Sequence, residues 1–65
     1  MSAIIYTAPL CSYCELAKQV LTERKITFQE LVIGVEITKG EAVEELGVIF
    51  TQVPQIVLNG IHIGG

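Results

Sequence analysis

Two cysteines stand three residues apart in Cys11-Ser12-Tyr13-Cys14, and the chain has no other thiol. A thiolate attacks disulfide sulfur, and two thiols one helical turn apart can open and close a disulfide without refolding the chain. The spacing therefore offers thiol–disulfide exchange, provided that Cys11 meets the start of a helix. There, unpaired backbone N–H groups and the positive end of the helix dipole stabilise a thiolate, bringing its pKa below the ~8.5 of a free thiol. Cys11, at the exposed end, is then the nucleophile. Cys14 faces inward and is the resolving thiol that attacks a mixed disulfide on Cys11. Two other readings compete: small buried hydrophobes that share this spacing by chance, or half of a zinc site. Structural zinc needs four ligands, and one further candidate exists, His62. A His between Ile61 and Ile63 on a strand is more often solvent-facing or hydrogen-bonded. A CxxC pair beside a β-α-β pattern favours redox chemistry.

The elements that must position this pair follow from periodicity. Ala3-Ile4-Ile5-Tyr6-Thr7 is a β-branched and aromatic run closed by Pro9, which suits a buried strand. From about Ser12 to Arg24 the period becomes helical. Tyr13, Leu16 and Val20 share one stripe with Cys14, Ala17 and Leu21 beside it, while Glu15, Lys18, Gln19, Thr22 and Glu23 take the other face. Ile26 to Ile33 reads as a second strand. Gly40 to Gly47 reads as a short helix with acids in its first turn. Val53 to Leu58 and Ile61 to Ile63 flank Asn59-Gly60, the strongest short-range signal for a β-hairpin. The expected architecture is α/β, a mixed four-stranded sheet in β-α-β-α-β-β order with both helices packed on it. The first two strands are expected to run parallel.

Sixty-five residues make one domain, spanning 1–65, and leave no room for a second. Net charge is −3, with four scattered Lys and Arg against seven Glu. That balance lacks the electrostatic footprint of a nucleic-acid binder. No apolar run approaches the ~20 residues that cross a bilayer, and the N-terminus lacks the pattern of a signal peptide. A soluble, cytoplasmic monomer is expected, with neither nucleic acid nor membrane as a partner.

The sequence resembles the glutaredoxins, a branch of the thioredoxin fold. The resemblance is carried by Ile4-Ile5-Tyr6 leading into Pro9-Leu10-Cys11-Ser12-Tyr13-Cys14, by Val53-Pro54-Gln55-Ile56, and by His62-Ile63-Gly64-Gly65. Tyr13 before the second cysteine, with no Trp in the chain, favours glutaredoxin over thioredoxin. The resemblance implies a glutathione-dependent thiol–disulfide oxidoreductase acting on glutathionylated or disulfide proteins, with glutathione as co-substrate. It implies a cis peptide before Pro54 and a Val53 main chain that meets extended glutathione. Gly64 and Gly65 would support the γ-glutamyl end, or simply form a flexible chain end. Tyr13 would flank the substrate groove, or else pack against Leu16 and Val20.

The departures from the family pattern also carry expectations. Ala8 stands where many glutaredoxins have a Lys that holds a glutathione carboxylate. Gln52 replaces the usual Thr before Val-Pro, with Thr51 one step earlier, and offers an uncharged amide donor. The family continues past the glycine pair into an Asp and a final helix, and this sequence stops at Gly65. Weaker glutathione binding is the expectation. Ser12 replaces the commoner Pro between the cysteines, a change associated in this family with a glutathione-ligated [2Fe-2S] cluster shared by two subunits. Three rivals therefore accompany the main reading: a thioredoxin-like reductase, a cluster carrier, and a non-enzymatic binding module.

Overall fold

The β-branched run after Ser2 forms an inner strand of the sheet in a computed structural model that describes residues 1–64. The elements are β1 (Ser2–Thr7), α1 (Ser12–Glu23), β2 (Thr27–Val32), α2 (Lys39–Leu46), β3 (Gln55–Leu58) and β4 (Ile61–Gly64). Their order in the sheet is β2-β1-β3-β4. β1 runs parallel to β2, with Ile5 opposite Glu30, and antiparallel to β3, with Ile5 opposite Ile56. β3 and β4 form the hairpin that Asn59-Gly60 signalled, with φ of 50° and 82° at the two turn residues.

Alternation along β1 sends its side chains to two cores. Ala3 and Ile5 meet Leu21 of α1 and Ile26, with Ala17, Phe28, Ile56 and Leu58 around them. Ile4 and Tyr6 point the other way, to a cluster containing Ile37, Ala42 of α2 and Phe50. The helices thus cover opposite faces, and β1 is covered on both. This placement fixes the end of β1, and the loop after it, against the start of α1.

Three details differ from the pattern in the sequence. The buried face of α1 is Cys14, Ala17 and Leu21, whereas Tyr13, Leu16 and Val20 are exposed. The apolar arc of α1 is wider than the strip of sheet beneath it, so its outer edge stays in solvent. α2 begins earlier than Gly40, because Thr38 caps it: its hydroxyl accepts from the Glu41 N–H while the Glu41 carboxylate accepts from the Thr38 N–H. β3 begins at Gln55, two residues later than the apolar run suggests; Thr51 to Val53 form a bend and Pro54 has no N–H for a ladder. Among the described residues no helix is long and apolar enough to cross a membrane.

Candidate active site

Cys11 is the N-cap of α1, with extended backbone at φ −110° and ψ 105°. Its sulfur takes the place that an oxygen occupies in a Ser or Thr cap, accepting from the Cys14 N–H at 3.1 Å. The Cys11 carbonyl accepts from the Glu15 N–H at 3.3 Å, so the first turn closes directly on this residue. The two sulfurs are joined as a disulfide across a Cα separation of 5.2 Å, within the usual range for such bridges. Cys14 is only 2% exposed, while Cys11 is half-buried and reachable from outside. Leu10 delivers the chain into this turn with a left-handed φ of 58° and a fully exposed side chain.

The opposite wall is the loop before β3. The Val53–Pro54 peptide is cis, and the Val53 carbonyl oxygen lies 3.9 Å from Cys11 Sγ. An open groove of about 430 Å³ runs from here, walled by Tyr13 and Ala17 on one side and Gln52, Val53, Pro54 and Ile56 on the other. A smaller hollow of about 180 Å³ shares Gln52 and Val53 with it and reaches Ala8, Phe50 and Lys39. The Lys39 ammonium stands 5.6 Å over the Phe50 ring.

Polar order beneath α1 comes from Glu30 on β2. Its carboxylate accepts from the buried Thr7 hydroxyl at 2.8 Å and pairs with Lys18 at 3.0 Å, and Lys18 also pairs with Glu15 at 3.1 Å. The Thr7 hydrogen bond first, and Lys18 second, hold the Glu30 carboxyl below the usual carboxylate range. Hydrogen bonds to Glu30 and then Glu15 raise the Lys18 ammonium. Among the described residues no three His, Cys or Glu side chains converge into a metal-binding cluster. His62, the candidate third ligand, is instead 2.7 Å from the side-chain oxygen of Gln55.

Residues 3–63 match the family model described as glutaredoxin. The chain is 42% identical over 62 residues to glutaredoxin 3 of Escherichia coli, covering 94% of this chain and 72% of that protein. It belongs to the glutaredoxin family. A solved structure of glutaredoxin 1 from Francisella tularensis, complexed with cacodylate, superposes with a TM-score of 0.76 at 37% identity, covering 98% of this chain and 81% of that one. The fold is accordingly thioredoxin-like, and membership supports thiol–disulfide oxidoreductase chemistry at the cysteine pair. The chain is also 38% identical over 64 residues to the hybrid peroxiredoxin hyPrx5 of Haemophilus influenzae, where it covers 98% of this chain and spans 26% of the relative's length.

The glutaredoxin residues singled out in the sequence fall together for the most part. Cys11, Cys14, Tyr13, Gln52, Val53 and Pro54 all surround the sulfur pair or its groove. Tyr13 lines the groove and is 73% exposed, and Leu16 and Val20 of the same stripe are exposed as well. Gly64 pairs with Ile56 across the hairpin, next to the groove rather than in its lining, and Gly65 lies outside the described residues. Lys39 was missed because it is 31 residues from Ala8 in sequence, yet they share one hollow. The helical period puts Lys18 on the solvent face, and only the register of β1 with β2 reveals its carboxylate partner.

Proposed function

We propose that this chain is a glutathione-dependent thiol–disulfide oxidoreductase that reduces glutathionylated or disulfide-bonded proteins. The observation that carries the reading is the half-buried Cys11 sulfur, capping α1 through the Cys14 N–H and facing the Val53 carbonyl across an open groove. In the reduced protein the Cys11 thiolate attacks the glutathione sulfur of a mixed disulfide. A new S–S bond forms on Cys11, the old S–S bond breaks, and the substrate thiolate leaves and takes a proton. Glutathione thiolate then attacks the mixed disulfide on Cys11, giving glutathione disulfide and regenerating the thiolate. Alternatively Cys14 displaces glutathione, closing the internal disulfide, which two glutathione molecules reopen with release of glutathione disulfide.

Val53 and Gln52 present main-chain and amide groups to the peptide part of glutathione, Tyr13 and Pro54 flank it, and Gly64 lies toward its far end. Ala8 supplies no cation, but Lys39 in the same hollow offers one to a glutathione carboxylate. The likeness to part of a hybrid peroxiredoxin adds an oxidised peroxiredoxin to the candidate protein substrates. The deciding experiment is turnover of hydroxyethyl disulfide with glutathione. Wild type is expected to be active, Cys11→Ser dead and Cys14→Ser partly active. Equal turnover by Cys11→Ser and wild type would sink the reading. Regeneration by a flavoprotein reductase in place of glutathione would identify a thioredoxin-like reductase, and visible absorbance in a dimer after iron and sulfide reconstitution a cluster carrier.

A further inference from the structure

We infer that His62, acting through Gln55, is the positioning residue that holds the substrate-facing loop of the groove in place. The inference rests on the reading that this groove receives glutathione. Gln55 is buried, 8% exposed, and directly follows Pro54. Its Nε2 donates to the Gln52 carbonyl at 2.8 Å. The other end of the amide, Oε1, therefore faces His62 Nε2 at 2.7 Å and can only accept, so Nε2 carries the hydrogen. Neutral imidazole with hydrogen on Nε2 and imidazolium both supply that donor, so the contact persists whichever charge His62 bears.

The side-chain contacts extend the β3–β4 hairpin, which backbone bonds already join, to a loop that they do not reach. His62 lies on β4, Gln55 opens β3, and Gln52 belongs to the loop that faces Cys11. Among the described residues no backbone–backbone hydrogen bond holds residues 51–54. The Gln55 side chain is the hydrogen-bonded anchor of that loop, and every buried side-chain polar atom in the described residues is satisfied. Removal of His62 strips the acceptor end of a buried amide of its partner, an expensive condition that the Gln55 side chain relieves by swinging its amide out toward water. That movement takes Nε2 off the Gln52 carbonyl. The adjoining Val53 main chain then loses its fixed position beside the sulfur. Chemistry at Cys11 does not pass through this brace; recognition in the groove does.

The experiment uses the full chain, a glutathionylated peptide and an aryl disulfide that lacks glutathione. His62→Leu is expected to raise KM for the glutathionylated peptide roughly threefold to tenfold with kcat little changed, the pattern of lost uniform binding. Attack of the reduced protein on the aryl disulfide is expected to keep the wild-type rate. His62→Gln, whose Nε2 falls near that of His, should restore KM. Gln55→Met should reproduce the defect, and the double variant should be no worse than either single one, because both break one chain of contacts. Wild-type KM in His62→Leu overturns the inference. So does a defect that His62→Gln leaves uncorrected or that extends to the aryl disulfide, since either marks a general loss of structure. If His62→Leu fails to fold, Gln55→Met and His62→Gln decide by the same criteria. A wild type that turns over the aryl disulfide but ignores the glutathionylated peptide defeats the glutathione reading itself.

Discussion

Cys11 and Cys14 differ in exposure and in hydrogen bonding, and both differences favour reaction at Cys11. Its sulfur accepts a backbone N–H at 3.1 Å at the positive end of a twelve-residue helix, whereas Cys14 is 2% exposed. In the reduced protein at neutral pH, iodoacetamide should therefore label Cys11 well before Cys14, as peptide mass analysis of a time course would reveal. Equal labelling rates would remove the case for an activated thiol. Lys39 supports a second expectation at this scale. Lys18 is engaged by Glu15 and Glu30, and Lys39 is the cation lining the hollow beside Ala8 and Gln52. Lys39→Gln should raise KM for a glutathionylated peptide by roughly twofold to fivefold, in keeping with one exposed charge pair. The effect should vanish when the glutathione carboxylate is blocked as an ester. An undiminished effect on the ester would mean that Lys39 acts on something else.

Short elements depend on their ends. α2 has eight residues, too few to stand alone, and both of its termini are secured: Thr38 and Glu41 form a reciprocal cap, and Gly47 closes the helix at a left-handed φ of 76°. Thr38→Ala should cost about 1 kcal/mol, lowering the melting temperature by about 4–8 °C in a domain of this size. In the β3–β4 turn, Gly60→Ala should cost a similar amount, about 1 kcal/mol. Nothing lies within 4 Å of the added methyl, so the whole cost is backbone conformation. Calorimetry on the two variants checks both, and an unchanged melting temperature would contradict either. The hairpin was legible because Asn-Gly states its own geometry. The Thr38 cap went unread, because Gly40 and the acids after it set the expected start one residue past Lys39, where α2 begins. The exposed arc of α1 was not legible, since Leu16 and Val20 obey the same period as Leu21 and only the width of the sheet separates them.

At the scale of the molecule, the β-α-β-α-β-β succession, the parallel first pair and the terminal hairpin followed from local patterns, and the cysteine pair from its spacing. The sheet order β2-β1-β3-β4 and the two-sided core did not. What the pattern could not supply were the polar links between distant residues. Gln55 with His62, and Thr7 with Glu30 and Lys18, depend on strand register, which no single segment encodes. The second of these links makes stability depend on acid. Glu30 has a folded pKa below its ordinary value, owing to the Thr7 hydroxyl and then Lys18. Its contribution is therefore fully present above the unfolded-state value of about 4.3 and is lost as pH falls below that through the folded value. Glu30→Gln keeps an acceptor for Thr7 but removes the charge from Lys18. Wild type should be the more stable at neutral pH, and the gap should close as pH drops below about 4. Glu41, also lowered through its bonds with Thr38, titrates in the same direction in both proteins and cancels in the difference. Urea unfolding of the pair across pH 3 to 7 reads the gap directly. A gap that is constant with pH would mean that the Glu30 carboxylate charge does nothing to hold α1 against the sheet.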